Sequence, residues 1–427
     1  MPKYSMNSSA PELAYLVSQY PAVSHTFILR EIRQLRQIGV PIRTASVKPP
    51  APSPHGFTEA ESSEASATFY VKTRGPLRIF RDHAICLARR PRAYLSGLLL
   101  AIRLAGLDLK AVLYHLSYFG EAVVVGEWMR RNGLRHLHVH FANSASTAAL
   151  LLKKTHGFPY SMTVHGPDEF YDTGLYHVRE KVEGALFICC ISRFCRSQLM
   201  KTSSSDHWEK MEVCPLGVDP EAFQPRRIAS ENEFHILCVG RLAPAKGQAI
   251  LLAAVEKLVA RGRSVHADFV GDGPDRNALE RQAASLNIAR NVTFHGAVNQ
   301  DQIAGLLAGA DVFALPSFAE GVPVSLMEAM AMEIPCISTT IAGIPELIES
   351  GKEGILIPPS DPDLLAAAIE TLIRDPELRL RLARAGRRKV IESYNLHTNT
   401  ERLAAIFERR LAIRPRPAVP AQPAGSL

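Results

Sequence analysis

The chain has no hydrophobic run fit to cross a bilayer, no facing pairs of zinc-spaced cysteines and no block of like charge. Its longest apolar stretch, 94–109, is broken by Arg103 and Asp108, which excludes a spanning helix. Residues 1–10 are polar and lack the apolar core of a secretory leader. The seven cysteines (86, 189, 190, 195, 214, 238 and 336) sit mostly inside apolar runs. This predicts reduced, buried thiols in the cytosol rather than a disulfide framework. The 49 Lys and Arg against 42 Asp and Glu leave a net charge of only +7. So mild an excess suits an anionic small ligand or an anionic membrane surface, and argues against nucleic acid. There is no tandem repeat and no Gly-Lys-Ser/Thr of a P-loop.

What is present is a chain of 427 residues, long enough to divide into two domains. In the second half, short β-rich runs at 234–239, 265–270, 291–295, 311–315, 335–339 and 354–357 alternate with helix-period stretches. The runs are apolar on both faces, and Gly or Pro marks nearly every junction, which predicts a doubly wound parallel sheet. The first half alternates less cleanly, with strands expected at 13–18, 42–47, 136–141, 160–164 and 186–191. The expected division is a first domain over 1–216 with a helical insertion at about 76–131, a hinge at 217–232 and a second domain over 233–396. Beyond it come a helix at 397–412 and a Pro- and Ala-rich tail at 413–427, expected to be disordered. Two such domains place a ligand in the cleft at the carboxyl ends of the strands.

The motifs fall at such ends. In Pro316-Ser317-Phe318-Ala319-Glu320-Gly321-Val322-Pro323-Val324-Ser325-Leu326-Met327-Glu328, a strand runs into a loop and a helix opens near Pro323. Gly321 permits close backbone approach, and N–H groups at the helix start suit anionic oxygens. Carboxylates only accept hydrogen bonds, so Glu320 and Glu328 suit sugar hydroxyls. Two solvated charges are the bland alternative, disfavoured because Glu328 lies within the apolar run 324–332. In Gly240-Arg241-Leu242-Ala243-Pro244-Ala245-Lys246-Gly247, two cations five apart suit phosphate oxygens. His165, followed by Gly166 at a strand end, can reach a ligand or cap a turn. Gly271-Asp272-Gly273-Pro274 is a tight turn bordering the same space. His136, His138 and His140 share one strand face without a further ligand nearby, and Asp361 and Asp363 precede a helix they can cap. Neither group is read as a metal site. Lys72, Arg74, Arg78, Arg81, Arg89, Arg90 and Arg92 interleave with apolar residues in the insertion. That pattern fits either an anionic leaflet or packing on the chain's own domain.

Taken together, Glu320–Glu328, Gly240-Arg241…Lys246-Gly247, His165-Gly166-x-Asp168 and Gly271-Asp272-Gly273-Pro274 resemble glycosyltransferase family 4. These are retaining transferases of the two-Rossmann-domain, GT-B type, with the domains facing a central cleft. Pro21-x-x-Ser24-x-Thr26-Phe27 and His138-x-His140-Phe141-Ala142 are similar to the colanic acid and exopolysaccharide branch. The resemblance implies a UDP- or GDP-hexose donor and a lipid-linked or growing saccharide as acceptor. It implies no metal and no cofactor beyond the donor, and a place in the cytoplasm or at the cytoplasmic face of the inner membrane. On this chain Glu320 would contact the donor sugar and Glu328 the ribose. Arg241 and Lys246 would stabilise the departing diphosphate, and His165 would hydrogen-bond the sugar. The backbone of Gly321, Val322, Pro323 and Val324, with Gly240, Gly271 and Gly273 alongside, would complete the cradle. The family's Gly-Gly loop after the first strand is replaced here by a segment containing Ser24 and His25. The resemblance also implies that the last helix crosses back to the first domain. Two other readings stay open: a non-catalytic sugar-nucleotide sensor, and a phosphorylase or epimerase on the same fold.

Overall fold

A computed structural model describes residues 12–22, 26–51, 56–225, 233–298 and 300–412. Val23, Ser24 and His25, the later part of the expected hinge (226–232) and the tail at 413–427 lie outside the described residues.

The first domain runs β1 (Glu12–Gln19), α1 (Thr26–Ile38), β2 (Ile42–Lys48), α2 (Glu59–Ala67) and β3 (Phe69–Tyr70). Three helices follow: α3 (Pro76–Arg89), α4 (Pro91–Ala105) and α5 (Leu109–Arg131). Then come β4 (Leu134–His140), α6 (Ser144–His156), β5 (Tyr160–Val164), α7 (Asp168–Tyr171) and α8 (Val178–Gly184). The domain closes with β6 (Ile188–Cys190), α9 (Arg193–Thr202) and β7 (Met211–Val213). Its seven strands are ordered β3-β2-β1-β4-β5-β6-β7, all parallel. The very short β3 and β7 at the two edges are not anticipated by sequence, because two or three residues carry no periodicity.

The second domain runs β8 (Phe234–Val239), α10 (Gln248–Ala260), β9 (Val265–Val270), α11 (Arg276–Ser285), β10 (Val292–Gly296) and α12 (Gln300–Ala308). It continues β11 (Val312–Leu315), α13 (Val324–Ala331), β12 (Cys336–Thr339), α14 (Ile344–Leu347) and β13 (Ile355–Ile357). The helices α15 (Pro362–Arg374), α16 (Pro376–Ser393) and α17 (Leu396–Leu411) end the described chain. The sheet order is β10-β9-β8-β11-β12-β13, again parallel. In both sheets the strand order reverses beside the first strand, at β1/β4 and at β8/β11. Loops leaving such a reversal splay apart and open a crevice at the strands' carboxyl ends.

The chain crosses between domains twice, side by side. Val218 N–H donates to Tyr394 O (2.9 Å) and Leu396 N–H to Val218 O (2.9 Å). After this crossing, α17 packs on α1. Leu403, Ile406 and Phe407 join the core formed by Leu13, Tyr15, Ile28 and Phe187. The Phe407 ring stands 5.2 Å from that of His138. Arg409 and Arg410 pair with Glu212 on β7. The last helix therefore completes the first domain's core, although the chain has already built the second.

Phe407 is fully buried, so Phe407→Ala should cost roughly 3–5 kcal/mol. Chemical denaturation would register it as a lower midpoint. An unchanged midpoint would mean that α17 contributes nothing to the first domain.

Candidate functional site

Three loops of the second domain meet at the β8/β11 reversal. The loop 240–247 follows β8 and lies between its neighbours, as β8 does. On one side Leu242 N–H donates to Asp272 O (3.1 Å) and Asp275 N–H to Leu242 O (3.1 Å). On the other, Phe318 N–H (2.8 Å) and Ala319 N–H (3.2 Å) both donate to Ala245 O. Backbone lies against backbone here. A Cβ on Gly271 or Gly273 would collide with Gly240 O or Leu242 O, so these glycines are needed for close approach.

The two glutamates stand on the third loop and its helix. Glu320 is buried and receives Lys246 Nζ at 2.5 Å and Ser317 Oγ at 2.8 Å. Lys246 thus pairs with the carboxylate in this structure rather than standing apart as a phosphate ligand. Arg241 is exposed at the cleft and, among the described residues, makes no ion pair. Pro323 caps α13 from extended backbone, with φ −68°. The first-turn N–H groups of α13 lack helical acceptors. Glu328, one turn on, is buried. Its partner comes from the other domain, where Arg30 on α1 donates to its Oε1 at 2.9 Å. Burial pushes the Glu328 carboxyl above the usual carboxylate range, and the Arg30 guanidinium opposes that rise.

Two further contacts join the halves. A Cβ on Gly321 would collide with His165 O of the first domain, so the Glu320–Gly321 turn reaches His165 only as glycine. The Glu346 carboxylate accepts from Arg193 N–H (2.9 Å) and Phe194 N–H (2.8 Å) at the start of α9, where an anion complements the helix dipole.

On the first-domain side, His165 follows β5 and is almost fully buried. Its ring rests on Phe141 (4.4 Å), Phe27 (5.0 Å) and His140 (5.3 Å). Phe141 takes φ 68° at the end of β4, a strained setting for an aromatic residue. The surrounding loops are tied by Glu169, which accepts from Ala142, His165 and Gly166 N–H. Lys181, fully buried, donates to Ala142 O and Asn143 O at 2.8 Å each. Burial lowers its ammonium to about 7.

The structure therefore brings Glu320, Lys246, Gly321 and His165 to one place, with Gly240, Arg241, Gly271 and Gly273 on adjoining backbone. His136 and His138 lie apart from it, bonded to Ser161 and Thr163. Burial holds His138 well below its ordinary value and His136 down to about 3. Asp361 caps α15 by accepting from Leu364 N–H (2.9 Å). Among the described residues no three His, Cys, Asp or Glu side chains are placed to hold a metal ion. Ser24 and His25 fall outside the described residues. Sequence reading missed Arg30, Ser317 and Glu346. Ser317, three residues before Glu320, could have been suspected from its loop, whereas Arg30 reads as one more charge on an amphipathic helix.

Comparison with known proteins places the site in context. Residues 220–389 match the family model described as Glycosyl transferases group 1. Residues 80–222 match Glycosyltransferase Family 4. The amylovoran biosynthesis glycosyltransferase AmsK of Erwinia amylovora is 35% identical over 47% of this chain and 51% of its own length. A GDP-mannose-dependent alpha-(1-6)-phosphatidylinositol monomannoside mannosyltransferase of Mycolicibacterium smegmatis is 29% identical over 52% and 62%. The chain thus spans about half the length of the curated relatives it matches. Among solved structures, the sucrose-phosphate synthase of Thermosynechococcus elongatus superposes with a TM-score of 0.73 at 18% identity, covering 95% of this chain and 100% of that one. Anabaena HepE in complex with UDP and glucose gives 0.69 at 17%, covering 93% and 99%. The fold is GT-B.

Arg30→Ala should leave Glu328 buried without a cation, at a cost of roughly 3 kcal/mol. A raised carboxyl pKa gives stability below the unfolded value that is lost as pH rises through the folded value. Removing Arg30 raises the Glu328 pKa further, so the deficit against the parent chain should grow from about pH 5 to about pH 8. Urea denaturation at the two pH values measures this, and equal midpoints for both proteins would dismiss the ion pair.

Proposed function

We propose that this chain, a Glycosyltransferase Family 4 domain followed by a glycosyl transferases group 1 domain, is a retaining hexosyltransferase. It moves a hexose from a nucleoside diphosphate sugar to a lipid-linked or growing saccharide in exopolysaccharide or cell-surface polysaccharide synthesis. The observation carrying this reading is the pair of buried carboxylates on one strand–loop–helix unit, each held by a cation from another element. The name of AmsK supports the pathway class, and HepE, with UDP and glucose bound, supports the donor class.

On this reading Glu320 accepts from donor-sugar hydroxyls and Glu328 from the ribose, with Arg30 sharing or yielding the latter carboxylate. Arg241 and Lys246 face the diphosphate, assisted by N–H groups of Gly321, Val322 and Val324. As the bond between the anomeric carbon and phosphate oxygen breaks, negative charge collects on the diphosphate. Stabilisation there by one preorganised donor is worth about 10²–10³ in rate. The acceptor hydroxyl attacks the same face, and its proton passes to the departing phosphate oxygen. No protein base is needed for that transfer, and none of the steps calls on a metal.

The acceptor side falls to the first domain. The outer face of α3–α5 leaves Leu77, Phe80, Leu99, Leu109 and Leu113 exposed, among Arg78, Arg81 and Lys110. Apolar side chains ringed by cations fit the headgroup region of an anionic leaflet. No helix among the described residues is long and apolar enough to cross a membrane, so contact would be peripheral.

A panel of UDP- and GDP-hexoses tested for thermal stabilisation should yield one that raises the melting temperature of the parent chain. The rise should shrink in Arg241→Ala. Glu320→Ala should lose transfer by at least about 10²-fold, and full activity would remove its assigned role. Tight nucleotide binding without transfer to any membrane-derived acceptor would favour a sensor. Leu77→Glu with Phe80→Glu should abolish sedimentation with vesicles containing anionic lipid. Binding that survives these changes would locate membrane contact elsewhere.

A further inference from the structure

The basic run of the insertion does not act as one block. Arg74 and Arg81 pair with Asp82, and Lys72 with Glu121, whereas Arg89 and Arg90 stand where α3 gives way to α4. The last turns of α5 and α6 come alongside. Gly126 allows that fit, since a Cβ on it would collide with the His156 ring. Between these helix ends lies a pocket of about 260 Å³ whose walls include Arg89, Arg90, Glu127, Arg130, His156 and Phe158. It is on the far side of the sheet from the cleft. The helix α5 leads into the start of β4, and α6 into the start of β5, so the pocket sits at the amino ends of strands whose carboxyl ends carry His140 and His165. Those strands are seven and five residues long, which at about 3.3 Å per residue separates the two ends by roughly 15–25 Å.

Two of the guanidinium heads are fixed at the wall by contacts that leave donors over. Arg130 gives Nε (3.0 Å) and Nη2 (2.8 Å) to Glu127 Oε2. Arg90 Nη1 donates to His156 O at the end of α6. Among the described residues, Arg89 makes no hydrogen bond and no ion pair. A guanidinium carries five N–H donors and stays charged in proteins. Three of them against the single Glu127 carboxylate leave an excess of at least two positive charges. Helix carboxyl ends draw cations, which accounts for Arg90 and Arg130, each bonded there, but not for Arg89. The helix α4 starts at Pro91, directly after Arg90, and its N-terminus has no side-chain cap, so its dipole adds to the positive side. The Phe158 ring, stacked on His156 at 6.1 Å, gives the pocket an apolar wall.

We propose that this pocket binds a phosphate monoester through the forked donors of Arg89 and Arg90, with Arg130 beside them. Such a group carries close to two negative charges at neutral pH, which matches the excess on the wall. Pockets for drug-sized ligands run roughly 300–1,000 Å³. This one therefore suits a phosphate with one small substituent, such as a hexose phosphate or a phospholipid headgroup, and is too small for a whole nucleotide sugar. The substituent packs against Phe158. The site is separate from the cleft and does not depend on the reaction proposed there.

Calorimetric titration of the full chain tests this, using glucose 1-phosphate and, separately, dihexanoyl phosphatidic acid kept monomeric. The chain should carry Arg241→Ala, which removes the cation proposed to face phosphate in the cleft. At least one probe should bind, and adding Arg89→Gln should weaken that binding at least about tenfold. Arg89 is exposed and has no partner to lose, so its replacement should leave the melting temperature without ligand unchanged. Weaker binding at an unchanged melting temperature then reports the pocket and not a folding defect. Tighter binding of glucose 1-phosphate would assign a soluble ligand, and tighter binding of the lipid a membrane-borne one; both uphold the site. Binding that Arg89→Gln does not alter would put the phosphate elsewhere and overturn the proposal, as would the failure of both probes to bind. Glucose bound as tightly as glucose 1-phosphate would overturn the role given to the phosphate.

Discussion

A carboxylate removed from water needs a cation or a set of donors beside it, and much of this molecule is arranged around that requirement. Glu320 is met within its own domain by Lys246 and Ser317. Glu328 is met by Arg30 from the other domain. Because the second pairing crosses the cleft, the charge balance of α13 and the relative placement of the two domains are one problem. Any ligand group that approaches Glu328 must share it with Arg30. On the proposed function, binding at Glu328 would be coupled to domain arrangement through that ion pair.

The second constraint is steric. Parallel strands deliver their loops to one edge of the sheet, and loops from adjacent strands then compete for space at the reversal of strand order. Here they fit by direct backbone contact, with Gly271 and Gly273 against the 240–242 segment and Gly321 against the His165 carbonyl. Hydrogen bonds between the loops hold that fit. The result is a rigid floor on the second domain and a histidine pressed against it from the first. A site held in this way has little freedom to reorganise, which is what the proposed transfer would ask of it.

Much of the second domain is legible in sequence because strands buried on both faces read as unbroken apolar runs, and Gly or Pro punctuates each junction. The six strands expected from 234 to 357 correspond to β8–β13, with ends moved by a residue or so. Loop motifs are legible for a similar reason: Glu320, Gly321 and Pro323 are contiguous, so their geometry is local. The first domain is harder to read. Its β3 and β7 are too short to show a period, and α17, which completes its core, lies nearly two hundred residues downstream of β7. His136, His138 and His140 show the general limit. Alternation correctly puts them on one face, yet one kind of residue ends in two settings. His136 and His138 bond to the Ser161 and Thr163 hydroxyls, while His140 is set between Glu31 and His165.

By itself the sequence determined the fold class, the two-domain plan and the candidate donor-side loop, because each depends on periodicity or on residues adjacent in the chain. Only the tertiary structure decided which cation meets which carboxylate, that Arg30 reaches Glu328, and that His140 stands between Glu31 and His165. Those pairings join residues up to 298 positions apart. Electrostatic and hydrogen-bonding partners are chosen by distance in space, and nothing in local residue order encodes that distance until both sheets have formed and the chain has crossed back between them.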